Sequence, residues 1–104
     1  MQTYAKKRVE IIVEAPALRR VLAFLDDNDV SGYTVVPALA GRGDSGRSWS
    51  REGQITDTDR MVTVVMIIDA SRLEPVFDAL YGLVSRQIGV ISVSDCEVVR
   101  DARF

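Results

Sequence analysis

Residues 60–69 read RMVTVVMIID. In an extended chain Val62, Val64, Met66 and Ile68 fall on one face and Thr63, Val65 and Ile67 on the other. Both faces are apolar almost throughout, which predicts a central strand covered on both sides. Downstream, Ser71-Arg72-Leu73-Glu74 has the form of a capping box, with Ser71 as N-cap and Glu74 at the N3 position. Leu73, Val76, Phe77, Leu80 and Val84 then form one stripe of a helix, and Pro75 is tolerated in its first turn. RQIG at 86–89 turns the chain, VISVSDCEVV at 90–99 reads as a strand, and the polar tail RDARF follows.

Upstream, YTVVPALA at 33–40 is rich in β-formers, with Pro37 marking an edge or an interruption. AKKRVEIIVE at 5–14 alternates: Val9, Ile11 and Val13 share one face, and Arg8, Glu10 and Ile12 the other. PALRRVLAFLDD at 16–27 changes to helical spacing through Leu18, Val21, Leu22 and Leu25, and Pro16 suits a first turn. DDNDVSG ends that helix, with Gly32 supplying the turn. Asp26, Asp27 and Asp29 read as this helix-end loop and not as a metal site.

The order is β-α-β-loop-β-α-β. Two right-handed βαβ units give an α+β, ferredoxin-like βαββαβ fold, a four-stranded antiparallel sheet with both helices on one face. Residues 1–104 are expected to form a single domain. The helices cover one face only. The apolar second face of 60–69 therefore predicts burial against another copy of the chain, in an oligomer of closed symmetry.

Composition narrows the function. A net charge of −2 marks no nucleic-acid binder. The absence of histidine removes the commonest general base and transition-metal ligand, so neither catalytic nor metal-ligating residues are assigned. Cys96, the single cysteine, reads as a small strand residue. The opening MQTYAKKRVE has no apolar signal core, and no apolar run approaches a membrane span of about 20 residues. A cytoplasmic protein without membrane insertion is expected.

The stretch 41–60 is a polar loop of unusual length. Its Arg42-Gly43-Asp44 looks like an adhesion tripeptide, a reading that needs an extracellular protein. Its Gly41-x4-Gly46-Arg47-Ser48 is one residue from a phosphate-binding P-loop, but Arg47 replaces the lysine and no helical periodicity follows. Trp49, the only tryptophan, is a candidate partner anchor beside Arg51, or folds back onto the protein. The loop arginines either bind an anion or solvate the segment.

GYTVVPALAGRG, the long loop and RQIGVISV together resemble the PII signalling proteins. The closer likeness is to the PII-like branch linked to carboxysomes and bicarbonate transport, over about residues 6–100. The resemblance implies a homotrimer with adenine nucleotides in its intersubunit clefts. It also implies a T-loop, here about 41–60, that changes conformation with ligand and touches a partner protein. Position by position, it implies nucleotide contacts at Gly32, Thr34, Gly41, Arg42, Gly43, Met66, Ile88, Gly89, Arg100 and Arg103. Arg60 falls where better-known members carry a lysine at the loop's other foot.

The departures matter as well. IGV replaces a longer, lysine-containing B-loop, the T-loop has no tyrosine, and its base lacks the family's metal-linked glutamine. Uridylylation and 2-oxoglutarate sensing are therefore not carried over. Fewer phosphate-binding cations imply ADP or AMP in preference to ATP. The branch implies bicarbonate as co-effector, for which Arg42, Arg47 and Arg60 offer guanidinium groups. The resemblance thus implies a non-enzymatic regulator of inorganic-carbon uptake or fixation, whose partner is a transporter or a carbon-fixation component. The alternative is a trimeric ferredoxin-like interaction module, of the copper-tolerance kind, without a nucleotide site. A small carboxylate enzyme is the weakest reading, because no carboxylate pair converges with a base.

Overall fold

The computed structural model describes residues 1–42, 48–50, 61–84 and 89–104. Four strands form one antiparallel sheet: β1 (Tyr4–Glu14), β2 (Thr34–Pro37), β5 (Met61–Ile68) and β6 (Gly89–Val98), in the spatial order β2-β5-β1-β6. Helices α1 (Ala15–Asp27) and α2 (Leu73–Val84) complete the expected ferredoxin-like βαββαβ order. A short ribbon lies apart from the sheet, where β3 (Ala40–Arg42) pairs with β4 (Ser48–Ser50).

The period-2 pattern decides which face is inside. Val9, Ile11 and Val13 of β1 and Val64, Met66 and Ile68 of β5 are buried against the helices. The helices contribute Ala17, Val21 and Leu25 from α1 and Val76 and Leu80 from α2. Burying a side chain of this size stabilises the fold by about 1.5–3 kcal/mol. In α1 the fully buried positions are Ala17, Val21 and Leu25, one helical row, while Leu18 and Leu22 are only half-buried against it.

Directly opposed residues share a face. Val36, Thr63, Ile12 and Val90 therefore make one row across all four strands on the face away from the helices. The next row holds Thr34, Val65, Glu10 and Ser92. Within the single chain Val36 and Val90 are 46% and 58% exposed.

The structure corrects several sequence expectations. The strand read over 33–40 runs only from Thr34 to Pro37. Ala38 donates its N–H to the Met61 carbonyl, so the N–H that Pro37 lacks would have pointed to the open edge. Within the long loop expected over 41–60, the described residues add a short ribbon in which Gly41 stands opposite Trp49. Ser71 is not an N-cap. It lies inside a 3-10 turn, Ala70–Arg72, whose N-cap is Asp69, and α2 follows at Leu73. Gly32 is not the turn residue after α1 either. The left-handed position is Asp29, at φ 58°, and Val30 donates back to the Leu25 carbonyl as the helix closes.

Gly89 has a packing reason of its own. A Cβ there would lie 2.5 Å from the Ile12 carbonyl oxygen and 3.2 Å from Val13 Cγ1. Backbone cannot yield as a side-chain tip does, so Gly89→Ala is expected to destabilise by about 1–3 kcal/mol in chemical denaturation.

Lys7 donates to Asp95 across β1 and β6. This hydrogen bond, and the lysine's charge, hold the Asp95 carboxyl below its ordinary value of 3.8. The folded pKa is depressed, so the pair's contribution is present above the unfolded value and lost as pH falls through the folded one. Wild type and Asp95→Asn should therefore differ in melting temperature at neutral pH, and the difference should shrink as pH falls below 3.8 through the depressed folded value.

Candidate ligand cleft

One cleft of about 490 Å³ opens where the α1–β2 connection, β5 and the C-terminal segment meet. Ser31, Gly32, Tyr33 and Thr34 form one wall, and Val65, Met66 and Ile67 line it from β5. Arg100, Arg103 and Phe104 come from the tail. Its volume lies within the range of small-molecule sites, about 300–1,000 Å³. The chemistry is mixed: apolar and aromatic groups, one threonine hydroxyl and two guanidinium groups. Nothing lies within 4 Å of where a Cβ of Gly32 would sit, so the missing side chain leaves space open.

The tail has a defined path. The Asp69 N–H donates to the Phe104 carbonyl at 3.1 Å, and the Ser31 hydroxyl donates to the Arg103 carbonyl. Arg103 has φ 77°, in the left-handed region that glycine adopts far more readily. Lys6, 5% exposed on β1, ties the same segment down. Its Nζ donates to Asp69 Oδ1 at 2.6 Å, to Asp101 Oδ1 at 2.7 Å and to the Asp101 carbonyl at 3.1 Å. The Asp101 and Asp69 hydrogen bonds raise the lysine pKa above its ordinary 10.5. The ion is therefore intact at neutral pH, and its contribution to stability fades only as pH rises through the raised folded value.

Of the residues implied as nucleotide contacts, Gly32, Thr34, Met66, Arg100 and Arg103 line this one cleft. Gly41 and Arg42 lie in the ribbon and Gly89 opens β6, and none of the three lines it. Gly43, Arg47, Arg51, Arg60 and Ile88 lie outside the described residues. Trp49 is described only as a backbone partner of Gly41. Ser31, Tyr33, Val65, Ile67 and Phe104 line the cleft and were not singled out from the sequence. The alternation of Val65 with Met66 gave no hint of lining. Phe104, an apolar ring ending a polar tail, was the one available signal.

The sequence model described as Nitrogen regulatory protein P-II matches residues 6–103. The chain belongs to the P-II family. No curated protein matches this P-II member in sequence. Among solved structures, CPII from Thiomonas intermedia, a nitrogen regulatory PII-like protein bound to ADP, AMP and bicarbonate, is 25% identical, with a TM-score of 0.85 over 95% of this chain and 92% of that one. CPII bound to ADP and bicarbonate gives 28% identity and a TM-score of 0.79, over 95% and 93% of the two chains. A PII-like signalling protein from Thermus thermophilus, at 19% identity and a TM-score of 0.77 over 96% and 95%, shares the fold. Among the described residues of this P-II chain, no helix is long and apolar enough to cross a membrane.

Proposed function

We propose that this P-II family member is a cytoplasmic, non-enzymatic signalling protein. It binds ADP and AMP in preference to ATP, in clefts between the copies of a homotrimer, with bicarbonate as co-effector. Through its T-loop, about 41–60, it regulates a protein of inorganic-carbon uptake or fixation. The observation that carries the reading is the convergence of Gly32, Thr34, Met66, Arg100 and Arg103 on one cleft. The ADP, AMP and bicarbonate held by CPII supply the ligand class.

Each group has a chemical part. The apolar lining and Thr34 suit an adenine, which presents a π-face and polar edges. Arg100 and Arg103 suit phosphate oxygens, which they meet with charge-assisted hydrogen bonds. Gly32 leaves room for the ligand to approach backbone. Gly41, Arg42, Gly43, Ile88 and Gly89 act from a neighbouring copy, closing the cleft from its open side. Arg42, Arg47 and Arg60 take the bicarbonate, and Trp49 and Arg51 meet the protein partner. The apolar row of Val36, Ile12 and Val90, away from the helices, supplies the surface on which copies assemble.

The test is calorimetry with ADP, AMP and ATP, each with and without bicarbonate. Saturable binding near one site per chain is expected, with ADP and AMP tighter than ATP and tighter still with bicarbonate, whose own binding the nucleotide then strengthens by the same factor. ATP binding most tightly would refute the preference, and no heat with any nucleotide would leave the interaction-module reading.

A further inference from the structure

We propose that Lys6 is a positioning residue for the cleft: its ammonium clamps the C-terminal segment so that Arg100, Arg103 and Phe104 stand as the cleft's wall. This rests on the nucleotide reading above. Lys6 does not line the cleft, so it acts only through what it holds. An ammonium has three N–H donors, and the three acceptors within reach are Asp69 Oδ1, Asp101 Oδ1 and the Asp101 carbonyl. Two of these belong to the tail. Its Nζ also lies 5.4 Å from the centroid of the Phe104 ring, within cation–π range.

The same node fixes the tail a second time. Asp69, held by Lys6 through its side chain, donates its own N–H to the Phe104 carbonyl. The wall residues therefore flank a segment whose anchor is a buried ion on a different strand. Without the clamp, the hydrogen bonds that hold residues 100–104 among the described residues are those from Ser31 and Asp69, and the two guanidinium groups lose their fixed aim.

Lys6→Met tests this. Methionine keeps an unbranched apolar stem without the ammonium. Asp69 and Asp101 are 43% and 69% exposed, so water can solvate the released carboxylates and the fold should survive. Two readouts are needed. One, free of any ligand, is hydrogen exchange at the Asp69 amide, which the tail carbonyl protects; exchange should accelerate by about tenfold or more in the variant. The other is affinity for ADP and for adenosine. ADP should weaken by about tenfold or more and adenosine by clearly less, since the arginines meet only ADP while Phe104 borders both. In an Arg100→Ala/Arg103→Ala background, Lys6→Met should add little further loss, the non-additivity of residues acting through one another.

Unchanged Asp69 protection overturns the clamp. Lost protection with unchanged ADP affinity, or equal weakening of ADP and adenosine, overturns the positioning role. If wild type binds no ADP, the nucleotide reading fails and this role in binding fails with it, while the Asp69 amide still decides whether Lys6 holds the tail.

Discussion

Arg100→Ala/Arg103→Ala is expected to weaken ADP binding by about 1,000-fold, since a hydrogen bond to a charged group contributes about 1.5–3 kcal/mol and two are removed. Both side chains reach the cleft from a tail pinned at Ser31, Asp69 and Lys6. Their loss removes charge without loosening the wall. Arg103 sharpens the point. Its φ of 77° is one that an alanine tolerates no better than an arginine, so the substitution leaves the backbone cost unchanged. Adenosine, which carries no phosphate, should bind the double variant nearly as well as wild type. Calorimetry with both ligands reads the difference directly, and equal losses for the two would show that the arginines do not meet the phosphates.

Val36→Glu/Val90→Glu is expected to break the trimer. Both valines are exposed in the isolated chain and lie in one row across the sheet, away from the helices. A single folded chain can therefore solvate the new carboxylates. In an assembly that buries this face they would be desolvated near like charges from the other copies, at several kcal/mol per ion and an assembly constant lower by about 100-fold or more. Sedimentation should show trimer for wild type and monomer for the variant, with unchanged helical content. On the proposed reading, in which a neighbouring copy closes the open side of each cleft, ADP binding should fall with the trimer. An unshifted sedimentation coefficient would put the interface elsewhere.

Local rules revealed the core and left the site obscure. The alternation of Val9, Ile11 and Val13, and the continuous apolar run from Met61 to Ile68, are properties of single strands and survive intact in the fold. Helix α1 was legible in type but less so in its buried face, because Ala17 is small and gives a weak apolar signal. The Ser71–Glu74 pattern misled because the chain is already turning at Asp69, two residues earlier. The ribbon of Ala40–Arg42 with Ser48–Ser50 escaped notice because neither segment favours strand alone and only pairing defines them.

Lys6 shows the sharpest limit. On β1 it is one more charged residue on the face opposite the core, and its ammonium is met by Asp69 and by a tail that returns to it across a separation of 95 residues. No periodicity carries that contact. The cleft residues Gly32, Thr34, Met66, Arg100 and Arg103 were reached through resemblance to a family and not through spacing. They come from three separated parts of the chain, which only the fold brings together.

Native mass spectrometry of the full chain, with and without ADP, tests the central claim most directly. Adenine nucleotide held between copies predicts a mass of three chains, and saturation at three ADP per trimer. Monomers that each carry ADP would contradict a shared cleft, and a trimer that takes up none would contradict the nucleotide site itself.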